Sequence, residues 1–247
     1  MTPKEERIAG SSGDDYRGGV SERKWIYVLR GSDDGLAVWS ARMHALGREL
    51  LGLQPKKLQL TVTEVPPPKV SLFPFKNEAI ALFNVHDDSD DPSRFTDLLL
   101  GQADRVSGYA VDEAYPVAYD KTWRDGEPTP SPILLTMLRK KAGISDDEFI
   151  DRWHYGHTPL SLEVHPLWYY QRNVVVEPIT EAADASDGIV LEACLTRGAL
   201  LNPASFFGGA LKMVPNMIRV AVDIQGFLDM KRTENFYATE YHLLSPA

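Results

Sequence analysis

Short landmarks recur along this chain with a period of about 110 residues, and a repeat of that length constrains the fold more than any other feature. Leu29-Arg30 is echoed by Leu138-Arg139, at an offset of 109. His44-Ala-Leu46 is echoed by His157-Thr-Pro-Leu160, and Val62-Thr-Glu64 by Val175-Val-Glu177, both at 113. Tyr109-Ala-Val-Asp112 is echoed by Val220-Ala-Val-Asp223 at 111. Four landmarks in one order with so little drift predict two copies of one structural unit.

Hydrophobic patterning gives the content of the unit. In the second copy, the apolar run over 133–139 reads as a strand. Ser145 is placed to cap a helix, with Glu148 at the capping-box position. Pro159 should kink or end that helix just after His157, because proline has no amide donor. Strands are expected over 169–177 and 189–195, a helix over 203–213, a loop over 226–229 and a last strand over 234–244. The first copy gives a strand over 25–30, a helix over 35–51, strands over 58–65 and 78–85, a helix over 93–106 and a weak strand over 115–119. Both copies read β-α-β-β-α-β, the ferredoxin-like plan.

In that plan both helices cover one face of the sheet and leave the other bare. A second copy in the same chain offers a cover. The expected fold is therefore α+β: two tandem ferredoxin-like units packed sheet to sheet as an intramolecular pseudo-dimeric α/β barrel. Residues 23–122 form the first unit, the proline-rich segment 123–132 the linker and 133–247 the second unit. Residues 1–22, polar and rich in glycine and serine, are expected to be a mobile tail.

Composition narrows the partners. A net charge of −9 and the absence of a Lys/Arg cluster disfavour nucleic acid. No apolar stretch is long enough to span a bilayer, and the first residues lack the apolar core of a secretory signal, so a cytoplasmic protein is expected. The lone cysteine, Cys194, lies in an apolar run and reads as a core residue.

The chemistry concentrates in LTMLRKKAGISDDEFIDRWHYGHTPLSLEVHPLWYYQRNV, residues 135–174. Trp153 and His157 stand four apart, so they share a helix face. A titratable ring then sits beside a large aromatic surface, and an imidazole titrates near neutral pH. The structural alternative is a histidine that only fixes the kink. Asp223 could orient the His157 ring as its carboxylate partner, whereas Asp112 reads more simply as a turn residue. Arg139 could hold a carboxylate or phenolate, or simply pair with Asp146, Asp147 or Glu148. Tyr170 and Asn173, at odd spacing on one strand, face opposite sides of the sheet, so one of them can point into a cavity. Trp153 and Trp168 could wall it, and His154 lies close by. His154, His157, His165 and Glu163 lie close enough in sequence to serve as metal ligands, but their spacing matches no metal motif. No phosphate-cradling glycine loop and no haem signature occur, so neither a metal nor another cofactor is expected.

The strand end Leu138-Arg139-Lys140, the S-x-x-E-F helix start at Ser145, the W-x-x-x-H-x-P-L segment at Trp153 and the Y-x-R-N-x-V segment at Tyr170 together resemble the EthD family of the dimeric α/β-barrel superfamily. The resemblance covers the second half well and the first half weakly. It implies a sheet-to-sheet pair, strengthens His157 and Asp223 as catalytic residues, and places Trp153, Arg139, Tyr170, Asn173, His154 and His44 around a substrate. His44 departs from the pattern: Trp39 precedes it by five residues rather than four, and Gly47 stands where Pro-Leu is expected. The second copy is thus expected to hold the working site.

The resemblance implies a cofactor-independent lyase, dehydratase, cyclase or isomerase. Its histidine would act as general acid and base on a small hydrophobic, aromatic or polyketide-like molecule. The alternatives are a non-catalytic binding or accessory protein of an oxidoreductase or degradation pathway and, more weakly, a metal-free oxidase or monooxygenase. The repeat implies a pseudo-dimer within one chain and leaves room for a further homodimer.

Overall fold

The computed structural model describes residues 23–31 and 35–246. The expected tail, 1–22, lies outside the described residues. The first unit runs β1 (Arg23–Gly31), α1 (Leu36–Gly52), β2 (Lys57–Val62), β3 (Ala79–Asp87), α2 (Ser93–Leu99) and β4 (Arg105–Val117). The second runs β5 (Ile133–Leu138), α3 (Asp146–Asp151), a π-helical turn (Arg152–His157), α4 (Thr158–Val164), β6 (Leu167–Pro178), β7 (Gly188–Cys194), α5 (Arg197–Leu201), α6 (Pro203–Phe206), α7 (Met213–Phe227) and β8 (Glu234–Leu244).

Each half orders its strands as the ferredoxin-like plan requires, and the outer strands of the two halves then pair. The result is one closed antiparallel barrel, β1-β3-β2-β8-β5-β7-β6-β4. The seams are β2 with β8, where Thr61 faces Glu240, and β4 with β6, where Glu113 faces Asn173. Closure leaves neither half with a bare edge. Residues 126–129 run beside β8, where the Gly126 N–H donates to the His242 carbonyl and the Thr129 N–H to that of Glu240.

Strand alternation sorts the core into layers. On β1, Ile26 and Val28 point into the barrel with Leu82, Leu135, Leu191 and Phe236. Trp25, Tyr27 and Leu29 point out, under Trp39, Met43, Leu46 and Leu50 of α1 and Phe95 of α2. In the second half, Leu134, Leu138 and Val190 face outward under Phe149, Trp153, Phe206, Val220 and Phe227. Each such large apolar side chain contributes about 1.5–3 kcal/mol when fully buried. Cys194 is fully buried among the outward-facing residues, as its context predicts.

Three expectations need correction. The second helix of the first half ends at Leu99 rather than near 106, and β4 occupies 13 residues. Ser107, Tyr109 and Val111 fall at every second position and are buried, with Tyr109 and Val111 inside the barrel, a strand period. Tyr109-Ala-Val-Asp112 therefore lies on a strand with Asp112 exposed, whereas Val220-Ala-Val-Asp223 lies on α7. That landmark is a chance identity, while the other three fall on equivalent elements. The helix expected over 203–213 stops at Phe206, because Gly208 and Gly209 take φ of 81° and 107°. A 15-residue helix, α7, then runs over 213–227, a segment for which patterning gave no element, and extends into the expected loop.

Candidate functional site

Pro159 does not end its helix. The chain runs from α3 through the π-turn into α4, and Pro159 falls in the first turn of α4. The Thr158 N–H reaches the Trp153 carbonyl, five residues back, and the Thr158 hydroxyl donates to the same oxygen at 3.0 Å. The wide turn absorbs the missing proline amide. Such a turn also rotates the side chains that follow it, which puts His157 and Ser161 on the face that looks toward the sheet.

Between these helices, α7 and the outer face of β5 and β7 lies a cavity of about 340 Å³. Phe73, Phe206, Met217, Val220, Ile224 and Phe227 supply apolar walls, and His157, Ser161, His165, Tyr170, Glu192 and Asn235 the polar groups. Trp153, 1% exposed, forms its floor against Gly188, where a Cβ would lie 2.7 Å from the indole. Its Nε1 donates to the Tyr170 hydroxyl at 3.3 Å.

Asp223, projecting from α7, pairs with His157 Nδ1 at 2.7 Å, and His157 Nε2 lies 3.1 Å from Ser161 Oγ. A carboxylate only accepts, so Nδ1 carries the hydrogen and the neutral ring presents the Nε2 lone pair to the serine hydroxyl. The connectivity carboxylate–imidazole–serine matches that of an activated serine nucleophile. Here Ser161 sits inside α4, whose amides are committed to carbonyls one turn back, so it lacks the adjacent free N–H groups that would stabilise an oxyanion. The serine is better placed to pass a proton than to attack.

Glu192, on β7, faces the same cavity. Burial raises its carboxyl to about 7, opposed only by the nearby His157. Burial also raises the Tyr170 hydroxyl to about 12 and lowers His165 to about 4. His165 donates its Nδ1–H to the Phe206 carbonyl at 3.0 Å and stacks on that ring. The cavity thus holds an oriented imidazole and a carboxyl poised near neutrality, within walls that leave the other titratable groups in fixed states.

Of the residues singled out from sequence, His157, Asp223, Trp153 and Tyr170 come together here. Asn173 does not, since it points into the barrel and accepts from Lys24 Nζ at 2.6 Å. Arg139 ion-pairs with Asp187 at 3.1 Å at one end of the barrel, not with Asp146, Asp147 or Glu148 and not in the cavity. Asp146 instead pairs with Lys140, and Glu148 with Arg152. His154 is turned out of the cavity by the π-turn, because i and i+3 do not share a face at that pitch; burial lowers its pKa to about 4. Glu163 pairs with Arg219, away from the histidines. His44 packs edge-on against Tyr241. Trp168 stacks on Tyr119 at the barrel mouth. Among the described residues, no three His, Cys, Asp or Glu side chains converge as a metal site.

The sequence reading missed Glu192 and Ser161, and took His165 only as a possible metal ligand. Glu192 had a visible signal, as the one charge in the apolar strand GIVLEAC. Ser161 had none, because the π-turn that brings it inward has no signature in spacing.

No protein-family model matches the sequence, and no curated protein matches it. Solved structures do. An anthrone oxidase-like protein superposes with a TM-score of 0.51 at 8% identity, covering 92% of this chain and 95% of its own. A protein provisionally named a monooxygenase, from Lactobacillus acidophilus, gives 0.47 at 6% identity over 90% of this chain and 94% of its own. Another of that description, from Fusobacterium nucleatum, gives 0.46 at 9% over 90% and 93%. The first likeness spans nearly the whole of both chains, and it is one of fold: the dimeric α/β barrel, built here from a single chain. Among the described residues, no helix is long and apolar enough to cross a membrane.

Proposed function

We propose that this protein is a cofactor-independent acid–base enzyme, of the kind found among EthD-like dimeric α/β barrels, acting on a small hydrophobic or aromatic carbonyl compound. The observation that carries this reading is the pairing in one apolar cavity of an Asp223-oriented His157 with Glu192, whose carboxyl is held near 7. An imidazole held in one orientation and a carboxyl whose pKa is raised by burial supply a base and an acid in one site. His157 Nε2, directly or through Ser161, takes a proton from a carbon beside a carbonyl, and Asp223 stabilises the imidazolium that forms. Protonated Glu192 delivers its proton to the carbonyl oxygen or to a departing hydroxyl. The first outcome is an enol, hence isomerisation or cyclisation; the second is a double bond and water. Proton transfer of this type contributes about 10²–10⁴-fold. The apolar walls select the substrate, and a cavity of about 340 Å³ suits one or two fused rings.

The test is hydrogen–deuterium exchange. The protein is incubated in D₂O with small aryl ketones and hydroxy-ketones, and deuterium beside the carbonyl is followed by NMR. Wild type should accelerate exchange, and His157→Gln should lose it by about 10² or more. Equal exchange in the two proteins overturns the assignment of the base. Binding without exchange in wild type makes the cavity a carrier instead. A flavin, haem or metal in the native mass spectrum of purified protein refutes the cofactor-free chemistry.

A further inference from the structure

The barrel interior holds a second cluster that the proposed chemistry does not use. Its middle is packed with apolar side chains. At the end where β1, β2 and β6 begin, the lining turns polar although almost none of it meets solvent. Gln59 is 1% exposed, Tyr169 2%, and Thr61, Asn84 and Gln171 0%. Six of their polar atoms have no hydrogen-bond partner: Gln59 Oε1, Thr61 Oγ1, both amide atoms of Asn84, the Tyr169 hydroxyl oxygen and Gln171 Oε1. Each such group costs about 1–3 kcal/mol when left unmet, so a fold gains nothing by gathering them unless something meets them. Register holds them together: Gln59 lies opposite Asn84 on β3 and opposite His242 on β8. Gln59 and Tyr169 also line a cavity of about 440 Å³ at the barrel mouth, ringed by Tyr115, Tyr119 and His242.

The buried charges already have partners, while Lys57, at the rim, has no carboxylate partner among the described residues and donates to the Tyr115 hydroxyl at 3.0 Å. Lys24 Nζ ion-pairs with Glu113. Glu240 accepts from the Tyr119 hydroxyl at 2.7 Å and from that of Thr129 at 3.2 Å. A charged ligand seated among the buried unmet atoms, below that rim, would meet no free counter-charge and bear the full desolvation cost. Among the unmet groups, three are carbonyl oxygens, one is an amide N–H₂ and two are hydroxyls. Acceptors dominate, so the ligand must bring several donors. The tyrosine faces around the mouth offer apolar surface for the C–H edges of a ring.

We propose that the barrel mouth is a second binding site, separate from the His157 cavity, for an uncharged polyhydroxylated molecule of about monosaccharide size. β6 serves both sites on alternate residues, with Tyr170 facing the helices and Tyr169 and Gln171 facing the interior.

Two conservative variants test it on the full chain. Tyr169→Phe removes one unmet hydroxyl, and Asn84→Leu replaces an unmet amide by an apolar side chain of similar size. Saturation-transfer NMR is run with D-glucose, myo-inositol and glycerol at millimolar concentration, with benzoate as the anionic control. At least one polyol should take up saturation and benzoate should not compete. The single variants should weaken binding several-fold, the double variant should abolish it, and His157→Gln should leave it intact. In the absence of ligand each variant should melt no lower than wild type. The proposal is overturned if none of the polyols binds, or if binding survives in the double variant. It also fails if Tyr169→Phe lowers the melting temperature by several degrees, since the hydroxyl would then be part of the fold. A crystal structure grown with myo-inositol that shows ordered water alone at these atoms likewise sinks it.

Discussion

Replacing Glu192 by Gln should stabilise the protein at alkaline pH and do little in acid. In the unfolded chain the carboxyl titrates at 4.5, and burial raises it to about 7 in the fold. The folded state therefore binds the proton more tightly, and the stability tied to that preference is fully present below 4.5 and lost as pH rises through 7. At 1.36 kcal/mol per pKa unit, ionising Glu192 in place costs the fold about 3 kcal/mol. Most of this, about 2.5 kcal/mol, develops between pH 5 and 8 by the same linkage. Glutamine matches the neutral acid in shape and cannot ionise. The stability of Glu192→Gln relative to wild type should thus climb with pH, from under about 1 kcal/mol at pH 5 to about 3 at pH 8. Urea unfolding at a series of pH values gives both curves, and the many other carboxylates cancel in the difference. Water entering the cavity would scale the climb down without removing it. A difference that stays flat from pH 5 to 8 would refute the argument, because Glu192 would then ionise in the fold as easily as in the unfolded chain. It would also remove the acid from the proposed mechanism.

Other outcomes follow from the same geometry. In Asp223→Asn the amide no longer holds the hydrogen on His157 Nδ1; a downfield Nδ1–H proton resonance, visible in wild type, should vanish, and its absence from wild type would refute the pair. Gly188→Ala drives a methyl to 2.7 Å from the Trp153 indole, so the floor of the cavity must move; the cost should be about 1–3 kcal/mol, read as a lower melting temperature and an altered near-ultraviolet circular dichroism signal. Residues 128–247 alone would expose both seam edges of their sheet, β6 and β8, and its inner face; light scattering should find dimers or aggregates, and a stable monomer would show that the second half does not need the first.

Much of the fold was legible because it rests on alternation and repetition. The last strand falls on 234–244 as expected, and Ser145 caps its helix by accepting from the Glu148 N–H. Three landmarks of the repeat sit on equivalent elements: the ends of β1 and β5, α1 and the α3–α4 helix, and the ends of β2 and β6. Two kinds of information were not legible. Helix α7 carries Pro215 near its start and a run of β-branched residues, so local propensity argued against it, and packing of Val220 and Phe227 decided otherwise. Convergence of distant elements also leaves no local trace. Nothing in the spacing placed Glu192 beside His157 or sent Arg139 to Asp187. The odd spacing of Tyr170 and Asn173 did place them on opposite faces, because a strand's period is fixed by its geometry.

The asymmetry between the halves has a structural explanation. Strand register makes Trp25 the counterpart of Leu134, and Val85 and Phe83 the counterparts of Glu192 and Val190. In the first half Trp25 and Phe83 therefore fill the space that Leu134 and Val190 leave open in the second. Helix α1 runs 17 residues as a regular α-helix, with no π-turn to swing its histidine toward the sheet. Gly47 admits Leu243 so closely that a Cβ would lie 2.5 Å from it. Finally, α2 has 7 residues where α7 has 15, so among the described residues no helix carries a carboxylate over His44 as α7 carries Asp223 over His157; the carboxylate near His44, Glu64, accepts instead from the Tyr241 and Ser40 hydroxyls. A carboxylate introduced at Val85 would accordingly have neither an oriented imidazole to work with nor a cavity to face. Four local differences, each readable in a side chain or an element length, give one half a packed core and the other a cavity with titratable groups in it.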